Sequence, residues 1–180
     1  MVFYRKYRPQ TIEELDSKEV REKLYNVLKS PEVSHAFLFT GPKGLGKTST
    51  ARIIAKVLNC VGRNNESRIK NQGKKKHDSS FIIRDSNGIE PCKSITNGTN
   101  MDILEIDGAS NRGIDEIRDL REKIKLSPMS ASRKVYIIDE VHMLTQEAFN
   151  ALLKTLEEPP SHVVFILCTT EPHKVPGTIL

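Results

Sequence analysis

Residues 36–48 read Ala36-Phe37-Leu38-Phe39-Thr40-Gly41-Pro42-Lys43-Gly44-Leu45-Gly46-Lys47-Thr48. The first four residues are apolar and predict a short buried strand, and the last eight fit the pattern G-x-x-x-x-G-K-[ST]. Glycine tolerates a positive φ and has no Cβ, so the backbone N–H groups of such a loop are able to turn inward around phosphate oxygens. From Lys47 onward, apolar residues recur on one helical face. Strand, loop and helix in this order are the context that a phosphate-binding loop requires, which disfavours a chance glycine-rich turn.

The loop residues have distinct chemical roles in this interpretation. We expect Lys47 to place a positive charge on the β- and γ-phosphates, where the helix that begins there adds its positive dipole end. The hydroxyl of Thr48 is a hard oxygen ligand suited to Mg²⁺. The sequence therefore predicts that residues 41–48 bind a nucleotide together with magnesium.

Short apolar segments alternate with amphipathic ones along the rest of the chain. The patterns predict strands at 102–106, 135–138 and 163–167, and helices at 16–29, from 47 onward, at 114–124 and at 148–156. Such alternation predicts an α/β fold, a parallel sheet flanked by helices on both faces in a three-layer sandwich. Ligands of these sheets bind at the carboxyl ends of the strands.

Two carboxylates follow one of the predicted strands, in the order Asp139-Glu140. Beside a phosphate-binding loop they read as a Walker B pair, in which Asp139 ligates Mg²⁺ and Glu140 orients and polarises an attacking water. Thr170 follows the next strand and is able to donate a hydrogen bond to the γ-phosphate or to that water. A carboxylate or a threonine after a strand is often only a loop residue, so these roles depend on the phosphate loop. The pair of acids favours hydrolysis over binding alone.

Composition restricts the class of protein. The chain has 180 residues, 37% of them hydrophobic and 28% charged, which suffices for a core without disulfides or a structural metal. The net charge of +5 comes from the N-terminal segment and from residues 61–78, and it does not by itself identify a nucleic-acid partner. Three cysteines argue for a reducing compartment rather than a secreted disulfide scaffold. No apolar run approaches the ~18 residues of a membrane span, so we expect a cytoplasmic protein with no membrane partner.

Residues 61–100 break the alternation. They show little helical or strand periodicity and are rich in Asn, Ser, Lys and Gly. A segment of this length inside a compact domain is unusual and indicates a polar, basic insertion between a helix and a strand. The lysines predict either a solvated loop or an additional electrostatic contact surface.

Five blocks of the sequence occur together in one known family. They are Tyr7-Arg8-Pro9-Gln10-Thr11, the loop at 41–48, Glu105-Ile106-Asp107-Gly108-Ala109-Ser110, Asp139-Glu140-Val141-His142-Met143-Leu144 and Ala151-Leu152-Leu153-Lys154-Thr155-Leu156-Glu157-Glu158-Pro159-Pro160. In these blocks the chain resembles the bacterial DNA polymerase III gamma/tau subunits, the AAA+ ATPases of the sliding-clamp loader. The resemblance implies a RecA-like AAA+ module over residues 1–180 with ATP and Mg²⁺ as ligands. It also implies a pentameric loader that opens the sliding clamp, places it on primer–template DNA and releases it on hydrolysis.

The resemblance also implies roles for single residues. Lys47 and Thr48 become phosphate and magnesium ligands, Asp139 and Glu140 the Walker B pair, and Thr170 the sensor 1 group. Tyr7, Arg8 and Pro9 fall where the family's N-terminal segment lies against the nucleotide, with a plain basic arm as the alternative. Arg118 corresponds to a DNA-backbone contact, and Lys154 to a residue that couples DNA and neighbouring subunits to the ATP site. For both, an ordinary solvated helix surface is the alternative.

The chain departs from the family in two places. The family has a zinc module at residues 61–100, and here Cys60 and Cys92 match only its first and last cysteine. Two thiols cannot hold tetrahedral zinc, so we predict no zinc, with both cysteines as remnants and Cys168 as a core or edge thiol. The family also continues past Thr-Ile-Leu into an arginine finger, a helical lid and a collar. We therefore expect residues 1–180 to be the N-terminal ATPase piece of a larger subunit, truncated before the lid and collar.

Three functions remain open after the resemblance. The leading one is a clamp-loader ATPase without a polymerase active site of its own. The alternatives are another AAA+ DNA-processing ATPase and a nucleotide-gated scaffold without useful catalysis. The Asp139-Glu140 pair argues against the scaffold, because binding alone does not require a second carboxylate.

Overall fold

The computed structural model describes residues 7–30, 33–60 and 90–179. Its helices and strands are, in chain order, α1 (Lys18–Lys29), β1 (Ala36–Thr40), α2 (Lys47–Cys60), α3 (Glu90–Asn97), β2 (Ile103–Asp107), α4 (Ile114–Ile124), β3 (Lys134–Asp139), α5 (Gln146–Glu157) and β4 (Val163–Thr169). Short 3₁₀ turns follow β3 at Val141–Met143 and β4 at Pro172–Lys174. The elements predicted from periodicity are confirmed, with ends that differ by at most a few residues. No helix among the described residues has the length and apolar character that crossing a bilayer demands.

The four strands form one parallel sheet in the order β1-β4-β3-β2. At the carboxyl ends, Thr40 pairs with Thr169 and Asp107 pairs with Asp139. Parallel neighbours need crossover connections, and the helices supply them. As a result, the segments that follow all four strands meet along one edge of the sheet, as the sequence predicts.

Both faces of the sheet are buried. On one face, Tyr136 and Ile138 of β3 pack in a core with side chains of α4 and α5. On the other face, Val135 and Ile137 pack in a second core with side chains of α1 and α2. Strand β4 is buried along its whole length, as expected of a central strand in an α/β sheet. The three-layer sandwich is therefore confirmed.

Local sequence explains where two of the helices begin. The Ser17 hydroxyl accepts a hydrogen bond from the Val20 N–H at the start of α1. The Thr145 hydroxyl does the same for the Ala148 N–H at the start of α5. These side chains satisfy N–H groups that have no partner within the helix.

The expectation of an irregular segment over residues 61–100 is wrong for its last part, because Glu90–Asn97 forms helix α3. Cys92 is fully buried there and is disulfide-bonded to Cys60 at the end of α2, which fastens the short helix to the domain. Gly98, at φ +71°, ends the helix, since its N–H donates to the Ile95 carbonyl in a conformation that favours glycine. The helix was missed because eight residues carry too little periodicity. The remaining prediction for residues 61–89 lies outside the described residues.

Candidate functional site

The loop between β1 and α2 has the backbone conformation of a phosphate cradle. Gly41, Gly44 and Gly46 all have positive φ, at 144°, 90° and 80°. A Cβ at Gly44 or Gly46 would meet nothing within 4 Å, so the conformation, and not crowding, accounts for glycine at these positions. Residues 42–45 are exposed and open to a ligand.

Lys47 lies at the first turn of α2 and is folded back onto this loop. Its Nζ donates hydrogen bonds to the carbonyls of Gly41, at 2.8 Å, and Pro42, at 3.0 Å. The first N–H groups of a helix have no partner within the helix and attract anions. The ammonium and the helix N-terminus therefore both supply positive potential at the loop.

Thr48 and Asp139 come together from separate elements. The Thr48 hydroxyl donates to Asp139 Oδ2 at 2.6 Å, and the Glu140 N–H donates to Asp139 Oδ1 at 3.0 Å. Two hard oxygen atoms in contact, one of them charged, are a donor set that fits Mg²⁺. Thr48 and Asp139, which the sequence predicts as magnesium ligands, lie 91 residues apart in the chain but are in contact in the structure.

Glu140 has a strained backbone. Its φ and ψ are both 46°, and it is the one non-glycine residue with positive φ among those the structure describes. A non-glycine residue in this conformation costs about 1–2 kcal/mol. Gly108 packs against this turn, since its N–H donates to the Asp139 carbonyl at 2.8 Å. A Cβ at Gly108 would lie 2.8 Å from the Glu140 carbonyl oxygen, so only glycine fits here without moving the backbone.

Thr170 meets the carboxylate of Glu140 at the end of β4. Its hydroxyl donates to Glu140 Oε2 at 2.9 Å and its N–H approaches the same atom at 3.3 Å. The predicted catalytic glutamate, Glu140, and the predicted sensor threonine, Thr170, are therefore in direct contact. Their roles in hydrolysis stay predictions, because the geometry alone does not test them.

The other predicted residues lie away from these contacts or on open surface. Tyr7 is 68% exposed, and Arg8 and Pro9 are half-buried. Arg118 is exposed on α4 and forms an ion pair with Asp115 at 3.1 Å, and Lys154 is exposed on α5. The nucleotide contacts of residues 7–9, the DNA contact of Arg118 and the coupling role of Lys154 all stay predictions.

The cysteines divide into a bonded pair and a core thiol. Cys60 and Cys92 form a disulfide, so their prediction as mere remnants of a zinc module is wrong. Cys168 is fully buried in β4, and burial, followed by the nearby charge of Asp139, raises its pKa to about 12. Its prediction as a core thiol is confirmed. In the described ranges no group of three or more His, Cys, Asp or Glu side chains is arranged to hold a metal ion, and the absence of zinc stays a prediction.

His142 has no role predicted from sequence, yet its side chain is only 5% exposed. Its ring lies between the carboxylates of Glu140 and Glu171, with Nδ1 2.9 Å from the Thr169 hydroxyl. The available signal was its place in the sequence, two residues after the acidic pair. A histidine near a catalytic carboxylate is often a hydrogen-bonding partner, and periodicity does not reveal it.

Comparison with known proteins places these features in a family. The family model described as "DNA polymerase III, delta subunit" matches residues 16–180. The chain is 50% identical over 178 residues to the DNA polymerase III subunit tau of Bacillus subtilis, covering 98% of this chain and 29% of that protein. It is 42% identical over 180 residues to the subunit tau of Escherichia coli, covering 99% of this chain and 25% of that protein. The chain thus spans less than a third of the length of these curated relatives.

Solved structures show the same fold. A DNA polymerase III gamma subunit-related protein of Thermotoga maritima superposes with a TM-score of 0.55 at 24% identity, covering 88% of this chain and 42% of that one. The RuvB Holliday junction branch migration motor of the same organism superposes with a TM-score of 0.57 at 20% identity, covering 96% and 45%. These likenesses show the AAA+ P-loop ATPase fold alone. Because the family model covers residues 16–180, the chain belongs to this family of DNA polymerase III subunits.

Proposed function

We propose that this chain is the ATP-binding and ATP-hydrolysing module of a clamp-loader subunit. The observation that carries the proposal is the meeting of the Thr48–Asp139 contact and the Glu140–Thr170 contact beside the phosphate loop. The strained backbone of Glu140 also supports it, because strain in a folded protein is concentrated at functional sites. A scaffold that only binds nucleotide would not need it.

Residues 41–48 bind the phosphates in this proposal. The loop N–H groups and the N-terminus of α2 receive the phosphate oxygens, and Lys47 exchanges the Gly41 and Pro42 carbonyls for the β- and γ-phosphates. Thr48 and Asp139 would hold Mg²⁺, which supplies neutralisation of phosphate charge when it is bound. Both the charge and the donor geometry are therefore in place before ATP arrives.

Glu140 activates the attacking water. The water oxygen bonds to the γ-phosphorus as the bond to the β,γ-bridging oxygen breaks, giving ADP and phosphate, and the Glu140 carboxylate takes the released proton. Thr170 holds Glu140 Oε2 through its hydroxyl at 2.9 Å. This hydrogen bond fixes the direction of the carboxylate, so its other oxygen is available to the water.

The proposed partners are the other subunits of a pentameric loader, the sliding clamp and primer–template DNA in the cytoplasm. Arg118 is the proposed DNA contact, Lys154 the proposed coupling residue, and Tyr7, Arg8 and Pro9 the proposed cover of the nucleotide. The exposure of Arg118 and Lys154 leaves both accessible to partners. We propose no polymerase activity for this chain.

Binding of a fluorescent ATP analogue with and without Mg²⁺ tests the proposal. We expect Lys47→Ala to weaken magnesium-dependent binding about tenfold or more, because it removes a charge-assisted contact to phosphate. Lys18→Ala is the matched control, since Lys18 is an exposed lysine on α1 whose only described ion-pair partner is Glu22, also exposed. Equal affinity of the wild type and Lys47→Ala would contradict the assignment of the phosphate site.

A further inference from the structure

The side chain of His142 is only 5% exposed and lies where the turns after β3 and β4 meet. Its Nδ1 lies 2.9 Å from the Thr169 hydroxyl and 3.4 Å from Glu140 Oε2. On the other side of the ring, Nε2 lies 3.3 Å from Glu171 Oε1. Both ring nitrogens therefore have polar partners, as a buried histidine requires, and these partners come from two different strand ends.

The same contacts shape the turn that carries Thr170. The Thr169 hydroxyl accepts a hydrogen bond from the Glu171 N–H at 3.0 Å while it contacts His142. Glu171 is itself held by Lys174, whose Nζ lies 2.8 Å from Oε2. That hydrogen bond is the main cause that lowers the pKa of Glu171, so the carboxylate beside Nε2 is ionised at neutral pH. The ring of His142 thus joins the turn of Glu140 to a preorganised turn after β4.

The two oxygens of Glu140 differ because of these contacts. Oε2 faces the Thr170 hydroxyl, the Thr170 N–H and His142 Nδ1. Oε1 makes no hydrogen bond within the described residues, so it is the oxygen left for an attacking water. With only one of these three contacts at Oε2, the carboxylate would be free to rotate and to present either oxygen.

We propose that His142 is a positioning residue that fixes Glu140 relative to Thr170 and thereby sets the rate of ATP hydrolysis. The inference deepens the proposed function and rests on it. His142 acts through the carboxylate of Glu140 and the hydroxyl of Thr169, and we assign it no contact with the nucleotide. Nucleotide affinity should therefore be independent of His142, while the chemical step should depend on it.

The decisive comparison is between His142→Asn and His142→Leu, because asparagine and leucine have similar volume and only asparagine retains a polar nitrogen near the place of Nδ1. We expect His142→Leu to lower the single-turnover hydrolysis rate about tenfold, since a displaced catalytic group costs one to two orders of magnitude. We expect His142→Asn to stay within about threefold of the wild type. Both should bind the fluorescent ATP analogue with wild-type affinity. The rates are measured with the full chain assembled with its partner subunits.

Four outcomes decide the proposal. Equal rates for the asparagine and leucine variants would overturn it, as would a loss of rate fully explained by weaker nucleotide binding. If the leucine variant does not fold, as judged by thermal melting, His142→Ala replaces it in the same comparison. The Glu140→Gln variant separates failure of the proposed function from failure of the role of His142. Wild-type turnover in that variant would overturn the proposed function itself. A slow Glu140→Gln together with a fully active His142→Leu would overturn only the role of His142.

Discussion

Acidic side chains occupy both ends of the sheet, and they are held in different ways. At the amino end, Asp102 precedes β2 and is 1% exposed. Its two oxygens accept hydrogen bonds from the N–H groups of Met129, Ser130 and Ala131 and from the Ser130 hydroxyl. At the carboxyl end, Asp139 and Glu140 are only partly buried, and one oxygen of Glu140 has no hydrogen bond within the described residues.

The difference separates the structural carboxylate of Asp102 from the proposed catalytic carboxylate of Glu140. Both oxygens of Asp102 accept hydrogen bonds that fasten the loop before β3, and its φ is not positive. Glu140 has one oxygen that accepts no hydrogen bond within the described residues. Its backbone lies in a left-handed conformation, which costs free energy on folding. A carboxylate whose two oxygens both accept hydrogen bonds within the protein stabilises the fold. A carboxylate with one oxygen left over can accept a hydrogen bond from a substrate. The two ends should therefore respond to mutation through different observables.

The largest expected effect is at the carboxyl end. Glu140→Gln should lower the rate of ATP hydrolysis about 100-fold or more, because a neutral amide cannot accept the proton of the attacking water. Nucleotide affinity and the free energy of unfolding should change little. Single-turnover kinetics measure the rate of hydrolysis. The control is Glu147→Gln, because Glu147 is an exposed glutamate on α5. Unchanged turnover in Glu140→Gln would favour a nucleotide-gated scaffold.

The next effect is at the amino end and concerns stability. Asp102→Asn should lower the free energy of unfolding by about 2–3 kcal/mol, because the amide nitrogen faces N–H donors and leaves them without an acceptor. Urea unfolding measures this change, and Asp115→Asn is the matched control, since its side chain is 85% exposed. ATP affinity should stay at the wild-type value. A comparable loss in both variants would show that burial of Asp102 has no special role.

A smaller effect is expected from the packing of Gly108 against the turn at Asp139 and Glu140. Gly108→Ala places a Cβ 2.8 Å from the Glu140 carbonyl oxygen and 3.0 Å from that of Asp139, so the turn must move. We expect hydrolysis to slow about tenfold through misplacement of the carboxylates. Gly177→Ala is the control, because its Cβ would meet nothing within 4 Å. Equal rates in the two variants would mean that the turn shifts without consequence for the reaction.

Much of the carboxyl end was predictable from sequence. The phosphate loop, Asp139 and Glu140 follow apolar strands, and a parallel sheet brings such residues together at one edge. The contact between Thr48 and Asp139 agrees with the prediction of both as magnesium ligands, although β4 lies between β1 and β3 in the sheet. The contact between Thr170 and Glu140 was not predicted, since the sequence suggested the γ-phosphate or the attacking water as the partner of Thr170, and the adjacency of β3 and β4 comes from the structure.

The rest depended on contacts that periodicity does not encode. Asp102 was expected only as the first residue of a strand, since nothing local marks it as the acceptor for a loop 27 to 29 residues later. His142 was quoted within a motif without a role, because its partners Thr169 and Glu171 come from another strand end. The Cys60–Cys92 pair was missed because its second member lies in a segment without visible pattern.

The smallest expected effect concerns pH and sharpens the contrast from the structural side. Burial acts to raise the pKa of Asp102, but the N–H groups of Ala131, Ser130 and Met129 outweigh it, so the pKa lies below its ordinary value. A lowered pKa in the folded state contributes stability that is fully present above the unfolded value of about 3.9 and is lost as the pH falls through the folded value. The gap in unfolding free energy between wild type and Asp102→Asn should therefore be constant from pH 7 to 5.

Below pH 4 that gap should narrow, by at most about 1.4 kcal/mol per pH unit. Urea unfolding of both proteins at pH 7, 5, 4 and 3 measures it. Other acids with a lowered pKa, such as Asp107, are present in both proteins and cancel in the difference. A gap that stays constant down to pH 3, with both proteins folded, would mean that Asp102 contributes through shape and not through its charge. The contrast between Asp102, whose two oxygens both accept hydrogen bonds, and the proposed catalytic Glu140, which has an oxygen without one in the described residues, would then fail at the amino end.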